Sequence, residues 1–208
     1  MIGIVDYDAG NIKSVEKAVE FLGKEVVRSR DPEVLKRADH VIVPGVGAFK
    51  DAMERMEAYH LTEVIGEIAK SGTPILGICL GLQLFFDSSE EAPGVKGLGI
   101  LPGKVVRFPE QVGFKIPHMG WNSIQIRENS RLLKGIKDSS YVYFVHSYYL
   151  QAEQEEDVAA KAEYMVPFHA AVEHENIYAT QFHPEKSGRV GLQILNNFLE
   201  VAPCLPNE

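Results

Sequence analysis

The sequence predicts an α/β fold: a mostly parallel central sheet flanked by helices, with an antiparallel β extension in the second half. Three observations carry that expectation. The first half alternates short apolar runs with amphipathic stretches across short linkers, the pattern of parallel strands joined by crossover helices. From about residue 94 the chain becomes rich in glycine, proline, β-branched and aromatic residues, the composition of hairpins. Hydrophobic residues make up 45% of the 208 and charged residues 24%, which leaves ample material for a core.

Residues 2–7, IGIVDY, read as an apolar strand, and DAGN supplies the turn into a helix. Ile12, Val15, Ala18, Val19 and Leu22 fall on one face of that helix, and Gly23 suits its C-terminal end. EVVRS is a second strand. Asp31 and Pro32 then read as N-cap and first helical residue of PEVLKRA. HVIVPG (40–45) is the third strand, 49–70 is helical, and PILGI (74–78) is the fourth strand. Beyond it KVVRF, SIQIRE, YVYFVHSYYL, AAKAEY, HAAVEH and IYATQFHPE read as antiparallel strands, with EHEN as a turn. A last helix over 188–200 carries Val190, Ile194, Leu195 and Phe198 on one side. No repeat or linker divides the chain, so one domain over 1–208 is expected.

Composition narrows the function classes. A net charge of -8 and a pI near 5.4 argue against nucleic acid, whose binding rests on Lys and Arg neutralising phosphates. A small polar substrate or a protein partner suits that balance. The two cysteines, Cys79 and Cys204, lie too far apart in sequence to suggest a disulfide framework, which points to a reducing compartment. The start reads as a strand and not as a signal peptide. No apolar run approaches the roughly 20 residues needed to span a bilayer. A cytoplasmic chain without membrane contact is therefore expected.

The chemistry centres on Gly77-Ile78-Cys79-Leu80-Gly81, which has nucleophile-elbow spacing with a thiol in place of a hydroxyl. Small residues two positions away let the strand turn sharply into a helix, and the helix N-terminus favours a thiolate. On the pentapeptide alone, a buried structural cysteine stands equally open. A nucleophilic thiol needs a base. Of seven histidines, His183 stands apart because Glu185 follows it by two, and on an extended chain both project to one face. A carboxylate there would fix the imidazole tautomer and raise its basicity. No second His or Cys at ligand spacing supports a metal. Pro44-Gly45-Val46-Gly47 lets backbone amides approach a ligand, and with Leu80 N–H the amide of Val46 or Gly47 could form an oxyanion hole. Neither a P-loop nor a GxGxxG site is present, so no nucleotide cofactor is indicated. Gln83 lies one helical turn after Cys79.

Taken together, GICLGLQLFF, PGVG and FHPEK resemble the class I (triad-type) glutamine amidotransferases, in a flavodoxin-like form of the α/β fold. PGVGAF, SEEAPGVKGLG, PHMGWN, YVYFVHSYY and QFHPEKSG narrow the resemblance to the glutaminase subunits of histidine biosynthesis, across essentially the whole chain. The resemblance implies Cys79 as nucleophile, His183 as general base and acid, and Glu185 as its orienter, releasing ammonia from glutamine with no cofactor. It implies Gly47, Gln83, Ser147 and Tyr148 as glutamine-binding positions. It also implies that Asn11, Trp121, Asn122, Tyr143 and Lys186 face a partner subunit, with Lys186 paired to an acid there. From the residues alone Trp121 reads as a core aromatic and Tyr143 as a strand residue. At 208 residues there is no room for a fused (β/α)₈ synthase of about 250. The expected partner is therefore a separate (β/α)₈ cyclase, which makes imidazole glycerol phosphate and an aminoimidazole carboxamide ribotide. A glutaminase serving anthranilate or pyridoxal phosphate synthesis, or a silent flavodoxin-like module, are the competing readings. Cys204 matches no motif.

Overall fold

The computed structural model describes residues 1–204. Its first half runs β1 (Ile2–Val5), α1 (Ile12–Phe21), β2 (Val26–Ser29), α2 (Pro32–Lys36), β3 (His40–Gly45), α3 (Phe49–Ala58), α4 (Leu61–Lys70), β4 (Ile75–Cys79) and α5 (Leu80–Leu84). The local signals act as the sequence suggests. Asp31 caps α2 by accepting the Glu33 N–H at 2.9 Å. Gly23 follows α1 at φ 76°, the left-handed conformation that commonly ends a helix. The helical stretch 49–70 is broken in two, because His60 takes a left-handed φ of 56° between α3 and α4.

The second half runs β5 (Ser88–Ser89), β6 (Gly103–Arg107), β7 (His118–Ser123), β8 (Gln125–Ile126), β9 (Tyr141–His146), β10 (Tyr148–Ala152), β11 (Val158–Tyr164), β12 (Val166–His174), β13 (Ile177–Thr180) and α6 (Gly188–Leu199). The run YVYFVHSYYL is two strands, split at Ser147, and they belong to different sheets. The main sheet has the order β2-β1-β3-β4-β13-β12-β10-β6-β5, with β11 on β12 and β8 on β11. Strands β2, β1, β3, β4 and β13 are mutually parallel. The change to antiparallel pairing comes at β12. Strands β7 and β9 form a separate antiparallel pair.

Alternation along the parallel strands divides the core between two faces. Ile42, Leu76 and Ile78 pack with Ile12, Val15 and Val19 of α1 and with Ile194, Leu195 and Phe198 of α6. Val41, Val43 and Ile75 pack with Phe49, Met56, Leu61 and Ile65 of α3 and α4. Each such side chain, fully buried, contributes about 1.5–3 kcal/mol. One local expectation changes. Strand β13 stops at Thr180, and Pro184–Lys186 form a 3₁₀ turn, so no extended chain joins His183 to Glu185. Among the described residues no helix is long and apolar enough to cross a membrane.

Candidate active site

Register brings three segments to one end of the sheet. Gly45 lies beside Cys79 across β3–β4, and Thr180 lies beside Ile78 across β4–β13. The Pro-Gly-Val-Gly loop, the cysteine and the His-Pro-Glu segment therefore all leave the sheet outside the carboxyl ends of the parallel strands, where open α/β sheets bind ligands.

Cys79 is buried and sits at φ 56°, ψ −105°. That is the backbone of the first central residue of a type II′ turn, a position glycine dominates. The flanking glycines are sterically required. A Cβ on Gly77 would stand 2.7 Å from the Gly81 carbonyl oxygen, and one on Gly81 would collide with the Val43 carbonyl oxygen. The helix can fold back over the strand only if both side chains are missing. Helix α5 has just five residues, so it brings only a short stack of aligned peptide dipoles behind Cys79. Tyr7 braces the same region from the bend just after β1: its hydroxyl donates to the Pro44 carbonyl at 2.7 Å. Burial, then the nearby Cys79 sulfur, keeps that phenol protonated.

On the other side, His183 Nδ1 lies 2.7 Å from Glu185 Oε1, with both side chains fully excluded from solvent. The 3₁₀ turn makes this contact, and Ser187 Oγ locks it by donating to the His183 carbonyl at 2.6 Å. Asn11 Nδ2 donates to the same Glu185 oxygen at 2.5 Å. Burial opposes charge on His183, but the Cys79 sulfur and the Glu185 carboxylate outweigh it and raise its pKa to about 9. Nonetheless His183 Nε2 has no partner of hydrogen-bonding geometry, and neither has Glu185 Oε2. Sulfur and imidazole thus lie within electrostatic reach without a closed bond between them. The thiol instead meets the Val145 carbonyl and the Gln181 amide, each at 3.8 Å.

A cavity of about 380 Å³ opens on Cys79 and is lined by Val46, Gly47, Leu80, Gln83, Ser147 and Tyr148, the sequence-expected set. Gln83 Nε2 donates to the Tyr148 carbonyl at 3.1 Å and to Gln181 Oε1 at 3.2 Å, which orients its amide across the floor. Sequence reasoning missed Glu91, Pro117, Val145 and His146 in the lining and Gln181 behind it, and it singled out Asn11 for a partner face but not for its bond to Glu185. For Gln181 a signal existed, since it precedes His183 by the same two residues that separate His183 from Glu185. A cavity of about 580 Å³ around Lys70, Asn176 and Cys204 is larger, but it lies at the opposite end of the strands, away from Cys79 and His183.

Trp121 is 56% exposed, contrary to a core role, because β7 and β9 form a ribbon with one face outward. Its ring meets Tyr143 edge-on at 6.1 Å, and Lys186 Nζ stands 6.0 Å from the Tyr143 ring centre. Asn122 is turned inward and donates to the Glu163 carbonyl at 2.9 Å. Asn11 is half-buried against Glu185.

The sequence profile described as Glutamine amidotransferase class-I matches residues 4–202. Imidazole glycerol phosphate synthase subunit HisH of Methanothermobacter thermautotrophicus is 50% identical over 202 residues, covering 97% of this chain and 98% of that protein. The subunit HisH of Methanocaldococcus jannaschii is 47% identical over 201 residues, covering 97% of this chain and 100% of that protein. Among solved structures, a crystal structure of glutamine amidotransferase superposes with a TM-score of 0.73 at 19% identity, covering 95% of this chain and 98% of that one. PurLQS from Thermotoga maritima superposes at 0.72 and 18% identity, covering 95% and 96%. At those identities the likeness speaks for the fold.

Proposed function

The chain belongs to the class I glutamine amidotransferases, and we propose that it is the glutaminase subunit of an imidazole glycerol phosphate synthase, hydrolysing L-glutamine to glutamate and ammonia for a separate (β/α)₈ cyclase of the HisF type. The observation that carries the chemistry is the fully buried His183–Glu185 pair facing a cysteine held on a strained elbow at the mouth of a cavity.

Glutamine lies in the cavity with its carboxamide at Cys79. Glu91, whose Oε2 is anchored by the Phe49 N–H at 2.9 Å, offers negative charge for the substrate's α-ammonium. The Cys79 thiolate attacks the carboxamide carbon and drives the C=O electrons onto oxygen. The Leu80 N–H and the amide of Val46 or Gly47 are the donors for that oxyanion. Imidazolium His183, aligned by Glu185, protonates the departing nitrogen, and ammonia leaves a glutamyl thioester. Water, deprotonated by the now neutral His183, hydrolyses the thioester to glutamate and restores the thiolate. A free nucleophilic thiol persists best in a reducing cytoplasm, where we place the chain.

The exposed ribbon bearing Trp121 and Tyr143, with Lys186 beside it, is the docking face for the cyclase, and Lys186 pairs with an acid there. Lys186 directly follows Glu185, so docking bears on the catalytic carboxylate through one peptide bond. The test is glutamate release by the chain alone, then with the cyclase, then with the cyclase and its phosphoribulosyl ligand. Weak activity alone and strong stimulation by the liganded complex is the expected result; no glutamine hydrolysis in any mixture would overturn the proposal.

A further inference from the structure

Strand register sets His118 and His146 opposite each other on β7 and β9, and His118 Nδ1 lies 3.0 Å from His146 Nε2. Both are buried, 4% and 6% exposed, within the rings of Phe108, Phe144, Tyr149, Tyr164 and Phe168. Desolvation pushes the pKa of His118 down to about 4, and desolvation together with the charges of His118 and His183 takes that of His146 to about 3 despite its bond to the Tyr148 carbonyl. The titratable groups around the pair are Tyr164, stacked on His118 at 4.0 Å, Tyr149 across Phe108, and His183. Among the described residues no carboxylate pairs with either ring.

Two neutral imidazoles in contact admit a single consistent direction here, because each has one donor and one acceptor. The Tyr148 carbonyl can only accept, so His146 Nδ1 donates to it, at 2.9 Å. His146 Nε2 must then accept, and His118 Nδ1 donates. His118 Nε2 is left as acceptor for Asn122 Nδ2, at 3.4 Å. The Asn122 amide is itself oriented, since its oxygen takes the Ser123 N–H at 2.8 Å and its nitrogen also donates to the Glu163 carbonyl. Backbone groups fix both ends of the chain, and each link follows.

The inner end of the chain is the pocket wall. The Tyr148 carbonyl that receives His146 also receives Gln83, and the Val145 carbonyl just before His146 faces the Cys79 sulfur. We propose that His118 and His146 are positioning residues, a neutral pair locked in one tautomer that holds the Val145–Tyr148 wall in place for glutamine. The proposal rests on the glutaminase reading for its kinetic consequence. Packing alone would need only two aromatic rings at these places; the directional chain needs nitrogen at both.

The test uses the chain in complex with its cyclase. His118→Phe keeps ring volume and deletes the donor to His146. His118→Asn returns an amide donor at a position close to Nδ1. The Phe variant is expected to raise the KM for glutamine about tenfold, the size of one lost buried hydrogen bond, with a smaller change in kcat. The Asn variant is expected to recover most of that loss. Ammonia-driven synthesis, which runs on the partner, controls for assembly. Wild-type KM in the Phe variant, or no recovery with Asn, overturns the positioning role. Independently, ¹⁵N imidazole spectra of this chain, labelled at histidine within the complex, are expected to show both rings protonated at Nδ1 and untitrated from pH 8 to pH 5. An Nε2–H tautomer or a titration near pH 6.5 overturns the chain of bonds. A wild-type complex that hydrolyses no glutamine sinks the glutaminase reading, while the spectra still decide the pair.

Discussion

The strands leading to Cys79 and those leading to His183 meet at the β4–β13 seam, and they hold their side chains by different means. On the cysteine side positioning is steric. Gly77 and Gly81 leave no room for a Cβ, and one on Gly45 would run into the Tyr7 hydroxyl. On the histidine side positioning is polar. Gln181, His183, His118 and His146 are buried side chains whose orientation comes from hydrogen bonds. A nucleophile needs one sharply defined backbone path, which close packing supplies. A base needs the right nitrogen protonated, which only a donor–acceptor chain can specify.

The contrast can be broken most severely at the sulfur. Cys79→Ala is expected to lower glutamine-dependent synthesis by the complex at least about 10³-fold while ammonium-driven synthesis persists. Turnover on glutamine in that variant would remove the nucleophile from the account. Next comes the polar side. Glu185→Gln is expected to cost about 10²–10³-fold in kcat, because an amide no longer dictates the imidazole tautomer. The same residue governs an alkaline limb. With the pKa of His183 raised to about 9, the imidazolium that would protonate the departing nitrogen persists through neutral pH, and hydrolysis is expected to decline as pH rises through about 9. The stability contributed by that raised pKa is complete below about 6.5 and fades over the same rise. Glu185→Gln is expected to move the limb to lower pH in a pH–rate profile.

The steric side responds in stability and not in pH. Gly81→Ala is expected to lose about 2–3 kcal/mol in urea unfolding, from forcing a methyl against the Val43 carbonyl, with the alkaline limb unmoved in whatever folded protein remains. A shifted limb would erase the distinction between the two sides. The smallest effect is expected at Asn11→Ala, about fivefold in kcat, since Glu185 Oε1 keeps its bond to His183. An unchanged rate would make the Asn11 contact incidental to catalysis.

These two means of positioning were unequally legible. Glycine spacing is local, so five residues make an elbow possible, though they leave a buried structural cysteine equally open, and apolar runs between helices give the parallel strands. The pairing of His183 with Glu185 was also visible, though through an extended geometry that the 3₁₀ turn replaces. The residues alone place Trp121 in the core, because alternation tells which residues share a face, not which face is covered. The polar contacts were hidden by distance along the chain: Asn11 and Glu185 are 174 residues apart, and His118 and His146 are 28 apart across an irregular connection. No local pattern encodes such partners. They become visible only when strand register is known.

The backbone at Cys79 bears on how this sequence can drift. At φ 56° and ψ −105° any side chain costs conformational energy that glycine would not incur. Conformational energy alone would therefore favour glycine at this position over cysteine. A thiol at a backbone that favours glycine carries a conformational cost, which the proposed chemistry would offset.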